Sequence, residues 1–179
     1  QVYQQNITKA KQLLADAGYP NGFSMTIKVP GNYEQHVNAG LVAAQQLEAI
    51  GIKADVLEVP WESWVSDVYK GRNYEATVSG IAASDMTARE MLDRYTTTHS
   101  KNFIGFSNEE YDSVVAKAIA TLDREEQVQL YRRAQEILNE QAASLWIQDL
   151  SELVVMNPAL DGYTFYCTYV LDMSTIYYK

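Results

Sequence analysis

Apolar residues recur at helical spacing from the start of the chain. Ile7, Ala10, Leu13, Leu14 and Ala17 share one stripe, with Asn6 placed to cap it and Gly18 to stop it. This predicts a helix over 7–17. After the turn Tyr19-Pro20-Asn21-Gly22 the period changes to two: Met25, Ile27 and Val29 alternate with Ser24, Thr26 and Lys28, which predicts a strand. Pro30-Gly31-Asn32 ends it. From Tyr33 the helical period returns, with Val37, Gly40, Leu41, Ala44, Leu47 and Ile50 on one stripe before Gly51, and residues 52–59 read as the next strand. Pro60 suits a helix start because its missing N–H costs nothing there, and Trp61, Trp64, Val65 and Val68 predict the buried face of a short helix. Residues 74–80 read as a third strand.

Strands separated by helices at these spacings call for parallel pairing through right-handed crossovers, hence an α/β fold with an open, mostly parallel sheet covered by helices. Such sheets bind ligands beyond the carboxyl ends of their strands. That places 30–33, 59–61 and 80–86 along one rim. Residues 81–106 are the least regular, with a helix expected over 87–95 followed by the polar run Thr96-Thr97-Thr98-His99-Ser100. Two further helices are expected. The first starts at Ser107 or Asn108 and carries Tyr111, Val114, Val115, Ala118 and Leu122; the second starts at Asp123 and carries Leu130, Tyr131, Ala134, Ile137 and Leu138. Residues 144–156 read as extended, and the aromatic tail over 163–178 as β-prone.

Charge narrows the partners. The 179 residues hold 14 Lys+Arg against 23 Asp+Glu, a net charge of −9, so the average surface field repels nucleic-acid backbones and anionic headgroups. The apolar stretches are too short to cross a bilayer as helices. Cys167 is the only cysteine, which precludes an intrachain disulfide. Gln1-Val2-Tyr3 has neither an initiator Met nor the start of a signal segment, so a processed chain or an excised piece is expected.

Motifs for chemistry are missing. There is no Gly-rich phosphate loop, G-x-S-x-G elbow, H-E-x-x-H or C-x-x-C, and His36 and His99 fall in separate segments. The pairs Glu109-Glu110 and Glu125-Glu126 stand at helix starts, where the macrodipole favours negative charge. What remains is the rim: Asn32 and Tyr33 after the first strand, Trp61 after the second, and Ser79, Ser84 and Asp85 after the third. Each has a structural alternative. Asn32 and Ser84-Asp85 also suit helix caps, and Trp61 also suits a core.

The order of segments carries a resemblance. Residues 9–23, KAKQLLADAGYPNGF, resemble A-K-x-L-L-x-E-A-G-Y-P-x-G-F; 46–54, QLEAIGIKA, resemble L-x-x-I-G-I-x-V; and 61–76, WESWVSDVYKGRNYEA, resemble W-x-x-Y-x-x-x-x-x-K-G-x-Y-D-A. Residues 102–112, NFIGFSNEEYD, are similar to N-x-x-G-Y-S-N-P-E-Y-D, and 123–138, DREEQVQLYRRAQEIL, to D-x-E-E-R-x-x-L-Y-x-x-A-Q-x-I-L. These are motifs of the second lobe of extracellular solute-binding proteins, family 5, which feed peptide, nickel and related ABC importers. The resemblance implies a periplasmic-binding-protein-like (type II) lobe over 1–143, with 144–179 holding a return crossover strand near 145–150 and a segment that packs on a separate lobe one.

It also implies a non-catalytic capture protein on the outer side of the cytoplasmic membrane, lipid-anchored, delivering a peptide or similar small solute to ABC permease subunits, with no cofactor and no metal. In peptide-binding relatives the loop after the third strand reads roughly G-W-x-x-D-Y-x-D-P, and its Asp pairs with the ligand's α-ammonium. Here Gly80-Ile81-Ala82-Ala83-Ser84-Asp85-Met86 keeps the acid and lacks the Trp. Asp85 is thereby the leading ligand anchor, with Ser84, Asn32, Tyr33, Trp61, Asn102 and Phe103 as further ligand-binding candidates. Two other readings are a sensor domain of a regulator built on the same fold and a small hydrolase using Asp85 with a second carboxylate or His99.

Overall fold

The protein is described by a computed structural model that covers residues 4–81, 87–149, 153–166, 170 and 172–179. The chain divides into two compact units, Gln1–Ile81 with Phe103–Gly105 and Ala82–Asn102 with Phe106–Lys179. No helix among the described residues is long and apolar enough to cross a membrane.

In the first unit α1 (Ile7–Asp16) begins where the Asn6 side chain accepts a hydrogen bond from the Lys9 N–H at 2.8 Å. β1 (Ser24–Pro30), α2 (Glu34–Glu48) and β2 (Lys53–Val59) follow, then α3 (Trp61–Ser63), a π-helix over Trp64–Lys70 and β3 (Ala76–Thr77). The sheet order is β2-β1-β3, with both pairings parallel, as the alternation of strand and helix requires. α2 covers the face that carries Ile27, Val29 and Val56. A Cβ on Gly40 would stand 3.2 Å from Val29 Cγ1 and 3.5 Å from Val56 Cγ1, so a side chain is missing where helix and sheet are closest. At the opposite end of the strands Gly22 (φ +73°) lets the α1–β1 turn lie against Gly51, where any Cβ would collide with the Gly51 carbonyl.

Several expectations need correction. β3 keeps two of the seven residues expected over 74–80, because side chains do the work of the ladder. The Glu75 carboxylate accepts from the Thr26 N–H (2.7 Å) and hydroxyl (2.8 Å), while the Thr77 hydroxyl donates to the Lys28 carbonyl (2.7 Å). The helix after Pro60 changes to the π form at Trp64, and the Gly71 N–H reaches back five residues to the Ser66 carbonyl. Trp64 and Val68 are buried there as expected, but Trp61 is 39% exposed. On α2 the inward stripe passes through His36, Val37, Gly40, Ala43, Ala44 and Leu47, leaving Leu41 outside at 53% exposure. One residue more or less turns a helical position by about 100°, and the sheet rather than the stripe selects which edge is covered.

The second unit is built on helices. α4 (Ala88–Asp93) is shorter than the expected 87–95 and is capped by Thr87, whose hydroxyl accepts from the Glu90 N–H. α5 (Glu109–Ala120) and α6 (Arg124–Glu140) start at Asn108 and Asp123, each accepting first-turn N–H groups, as the capping pattern predicted. Their core is Tyr111, Val115, Ala118, Tyr131, Ala134, Ile137 and Leu138. Leu122, expected on the stripe of α5, is fully exposed because the helix ends at Ala120 and Thr121 turns extended. Residues 145–149 pair with no strand among the described residues. The aromatic tail contributes β4 (Leu160–Asp161) and β5 (Tyr177–Tyr178), an antiparallel pair.

Candidate ligand-binding rim

Parallel register brings the carboxyl ends of β1 and β2 level, with Val29 opposite Glu58 and Pro30 opposite Val59. The turn after β1 is held to β2 by the Gly31 N–H, which donates to the Val59 carbonyl at 3.0 Å. Asn32 is exposed in that turn, and Tyr33 stands at the N-cap of α2 with extended backbone and no side-chain cap bond. Pro60 and α3 then carry Trp61 to the same place.

The rings form one chain. Tyr33 meets Trp61 edge to face at 5.4 Å, and Trp61 stacks on Trp64 at 5.4 Å and 8° between planes. Trp64 meets Phe103 at 6.2 Å, and Tyr69 lies 5.1 Å from Phe103. Spacing of three residues on a helical turn is what brings Trp61 and Trp64 into register. Trp64 is fixed further by its indole N–H, which donates to the Thr77 hydroxyl at 3.0 Å. The Tyr74 hydroxyl donates to the Phe103 carbonyl at 2.9 Å, tying this residue to the first unit. The inner end of the series is therefore held rigidly, and its outer end, Trp61 with Tyr33, faces solvent.

His36 packs on Tyr33 at 5.2 Å between ring centres, with its Nε2 beside Gly80. Its Nδ1 is buried without a partner among the described residues, and burial holds the imidazole below its ordinary pKa of 6.5. Beneath the rings, on the sheet face opposite α2, Lys28 Nζ is clamped by the Asn73 carbonyl (2.6 Å) and Asp67 Oδ2 (3.2 Å). Hydrogen bonds from Asn73 and then Lys28 keep the Asp67 carboxyl below the usual carboxylate range.

Of the residues singled out in the sequence, Tyr33, Trp61 and Phe103 thus belong to one series of rings in the first unit, with Asn32 beside it. Asn102 is buried in the second unit, where its Nδ2 donates to the Phe106 carbonyl (2.7 Å) and the Thr96 carbonyl (3.1 Å). Ser84 and Asp85 lie outside the described residues. His99 lines a cavity of about 300 Å³ in the second unit with Thr87, Arg89, Glu90, Asp93 and Lys101, and its Nδ1 accepts from the Lys101 N–H at 3.1 Å. No cluster of three or more His, Cys, Asp or Glu side chains among the described residues is placed to hold a metal ion. Sequence reading passed over His36 and Trp64 as rim elements, although the Trp-x-x-Trp spacing was visible.

Residues 1–103 match the family described as Bacterial extracellular solute-binding proteins, family 5 Middle. The chain belongs to that family. Among its relatives, Heme-binding protein A of Haemophilus influenzae is 28% identical over 171 residues, covering 91% of this chain and 31% of the relative. Glutathione-binding protein GsiB of Escherichia coli is 31% identical over 156 residues, covering 82% and 30%. The structure of a putative peptide binding protein AppA from Clostridium difficile superposes with a TM-score of 0.72 at 25% identity over 79% of this chain and 29% of that one. The chain therefore spans about three tenths of the length of these relatives. Family 5 solute-binding proteins are extracellular by description. The α/β lobe of this family is the fold expected from the periodicity.

Proposed function

We propose that this chain is lobe two of a solute-capture component of an ABC importer for peptides or similar small solutes, and that it binds without catalysing a reaction. Residues 1–143 form the lobe, and 144–179 hold the return crossover and the segment that packs on lobe one. The apolar side chains of this stretch support that division: Leu145, Leu153, Val155 and Tyr178 are largely exposed in this chain and await a cover. Solute would be trapped as lobe one closes over the rim. The assembled protein would sit on the outer side of the cytoplasmic membrane, held by a lipid anchor and docking on permease subunits.

The observation that carries this reading is the family match over 1–103, the stretch that builds the parallel sheet and its ring-lined carboxyl end. In this reading Asp85 is the counter-charge for a ligand ammonium and Ser84, next to it in sequence, a polar anchor, with Asn32, Tyr33, Trp61 and Phe103 as further candidates; Asn102, buried with its amide on two backbone carbonyls, serves the fold of its own unit. Calorimetry with a dipeptide panel, on this chain joined to a lobe one, tests it. Asp85→Ala is expected to weaken binding by roughly 10- to 100-fold, the size of a desolvated charge-assisted hydrogen bond. Unchanged affinity removes Asp85 from the anchor role, and turnover of the peptides would replace capture by hydrolysis.

A further inference from the structure

We propose that Asn21 is a site of spontaneous deamidation which the α1–β1 turn holds closed, so that the modification is confined to chains in which this turn has opened.

Asn21 is the only asparagine in the sequence followed by glycine. A glycine next in the chain has no side chain to hinder its backbone nitrogen from attacking the preceding carboxamide. Asn21 is exposed to water, and among the described residues no hydrogen bond occupies its carboxamide. In the reaction the Gly22 nitrogen gives up its proton to solvent and bonds to Asn21 Cγ, the side-chain nitrogen leaves as ammonia, and a succinimide ring results. Water then opens the ring. Entry at Cγ gives aspartate, and entry at the Asn21 main-chain carbonyl gives isoaspartate, whose backbone runs through the side chain and is one carbon longer. Neither route changes an oxidation state.

The fold opposes the attack in two ways. The Gly22 N–H donates to the Tyr19 carbonyl at 3.0 Å across the turn, so the nitrogen that must attack is committed as a donor. Bringing it to Cγ also requires rotation about the Asn21 Cα–C bond, which swings the Asn21 carbonyl and Gly22 together. Both are lodged against Gly51: a Cβ on Gly51 would stand 3.2 Å from the Asn21 carbonyl oxygen and 3.6 Å from Gly22 Cα, and one on Gly22 would strike the Gly51 carbonyl. Pro20 fixes its φ within the turn, and beyond it the Lys53 N–H donates to the Phe23 carbonyl at 2.9 Å. The same crowding bears on the product. An isoaspartyl link puts an extra main-chain carbon beside Gly22, which lacks space for even a Cβ, just before β1 takes its register with Ser24 opposite Lys53. The modified turn therefore does not close as before.

Incubation of the chain in warm, mildly alkaline buffer, folded and in urea, followed by peptide mapping with mass spectrometry, tests this. In urea Asn21 is expected to gain the mass of exchanging the amide NH2 for OH, with isoaspartate as the larger product. In the folded chain the same gain is expected to be at least about tenfold slower, since reaction waits on local opening. Pro20→Gly, which loosens the turn and leaves the Gly22–Gly51 contact intact, is expected to narrow the gap between the folded and unfolded rates. Isoaspartyl chains, separated and refolded, are expected to melt at lower urea than unmodified ones. Asn21→Asp, which adds the charge without the extra carbon, is expected to melt as the parent does. No mass gain at Asn21 in urea, equal rates folded and unfolded, an unchanged gap in Pro20→Gly, or refolded isoaspartyl chains as stable as the parent overturns the proposal.

Discussion

His36 shows how one side chain can couple the rim to solution conditions. Its imidazole packs on Tyr33 with Nδ1 buried, and burial lowers its pKa from 6.5 in the folded chain. The unfolded chain takes up a proton near 6.5, and the folded chain does so only at lower pH, so protons favour unfolding across that interval. Stability is therefore expected to fall as pH drops through 6.5 and to level off below the lowered folded value, until carboxylates begin to protonate. Urea melts of the chain and of His36→Phe across this range check it: the variant is expected to lose the slope, and a slope kept in full would assign it to other groups. The carboxylates act lower. Glu75, bonded by the Thr26 hydroxyl and N–H, has its pKa held below 4.5, so the stability it adds is present above that value and lost as pH falls through the lowered one.

At the scale of elements, local rules decided the starts and tertiary neighbours decided the lengths. Asn6, Asn108 and Asp123 cap their helices where sequence placed them, because a cap is a bond between a side chain and an N–H two or three residues away. β3 stops after two residues because Glu75 and Thr77 satisfy β1 with side-chain atoms, which no periodicity reveals. In the second unit a buried bond runs between α4 and α5, from the Tyr111 hydroxyl to the Leu92 carbonyl at 2.6 Å. Burial pushes that phenol well above its ordinary range, so it stays a donor at every physiological pH. Tyr111→Phe keeps the ring and removes the bond. It is expected to cost about 1 kcal/mol in chemical denaturation with little change in the dependence on denaturant.

For the whole molecule, the distribution of exposed apolar side chains is the informative quantity. The helices of the second unit close over a core, whereas Leu145, Leu153, Val155, Phe165 and Tyr178 remain largely in solvent. If 144–179 packs on a second lobe, as proposed, its amides are expected to exchange hydrogen within the fastest class in this chain alone and to become protected once the chain is joined to a lobe one. Mass-resolved exchange on both forms checks this, and equal exchange rates would assign the segment no such cover.

The sequence by itself determined the alternation of strand and helix, the parallel pairing it entails, the three side-chain caps and the family. All of these depend on spacings within a few residues or on motifs read in order. It did not determine which candidates meet. Tyr33, Trp61 and Phe103 are joined into one series only because β1 and β2 end level and the chain returns to the first unit at Phe103. The exposure of Trp61, Leu41 and Leu122 was likewise a tertiary matter. An apolar stripe marks a face that can be buried, and only the packed neighbours, or the end of the helix, decide how much of it is.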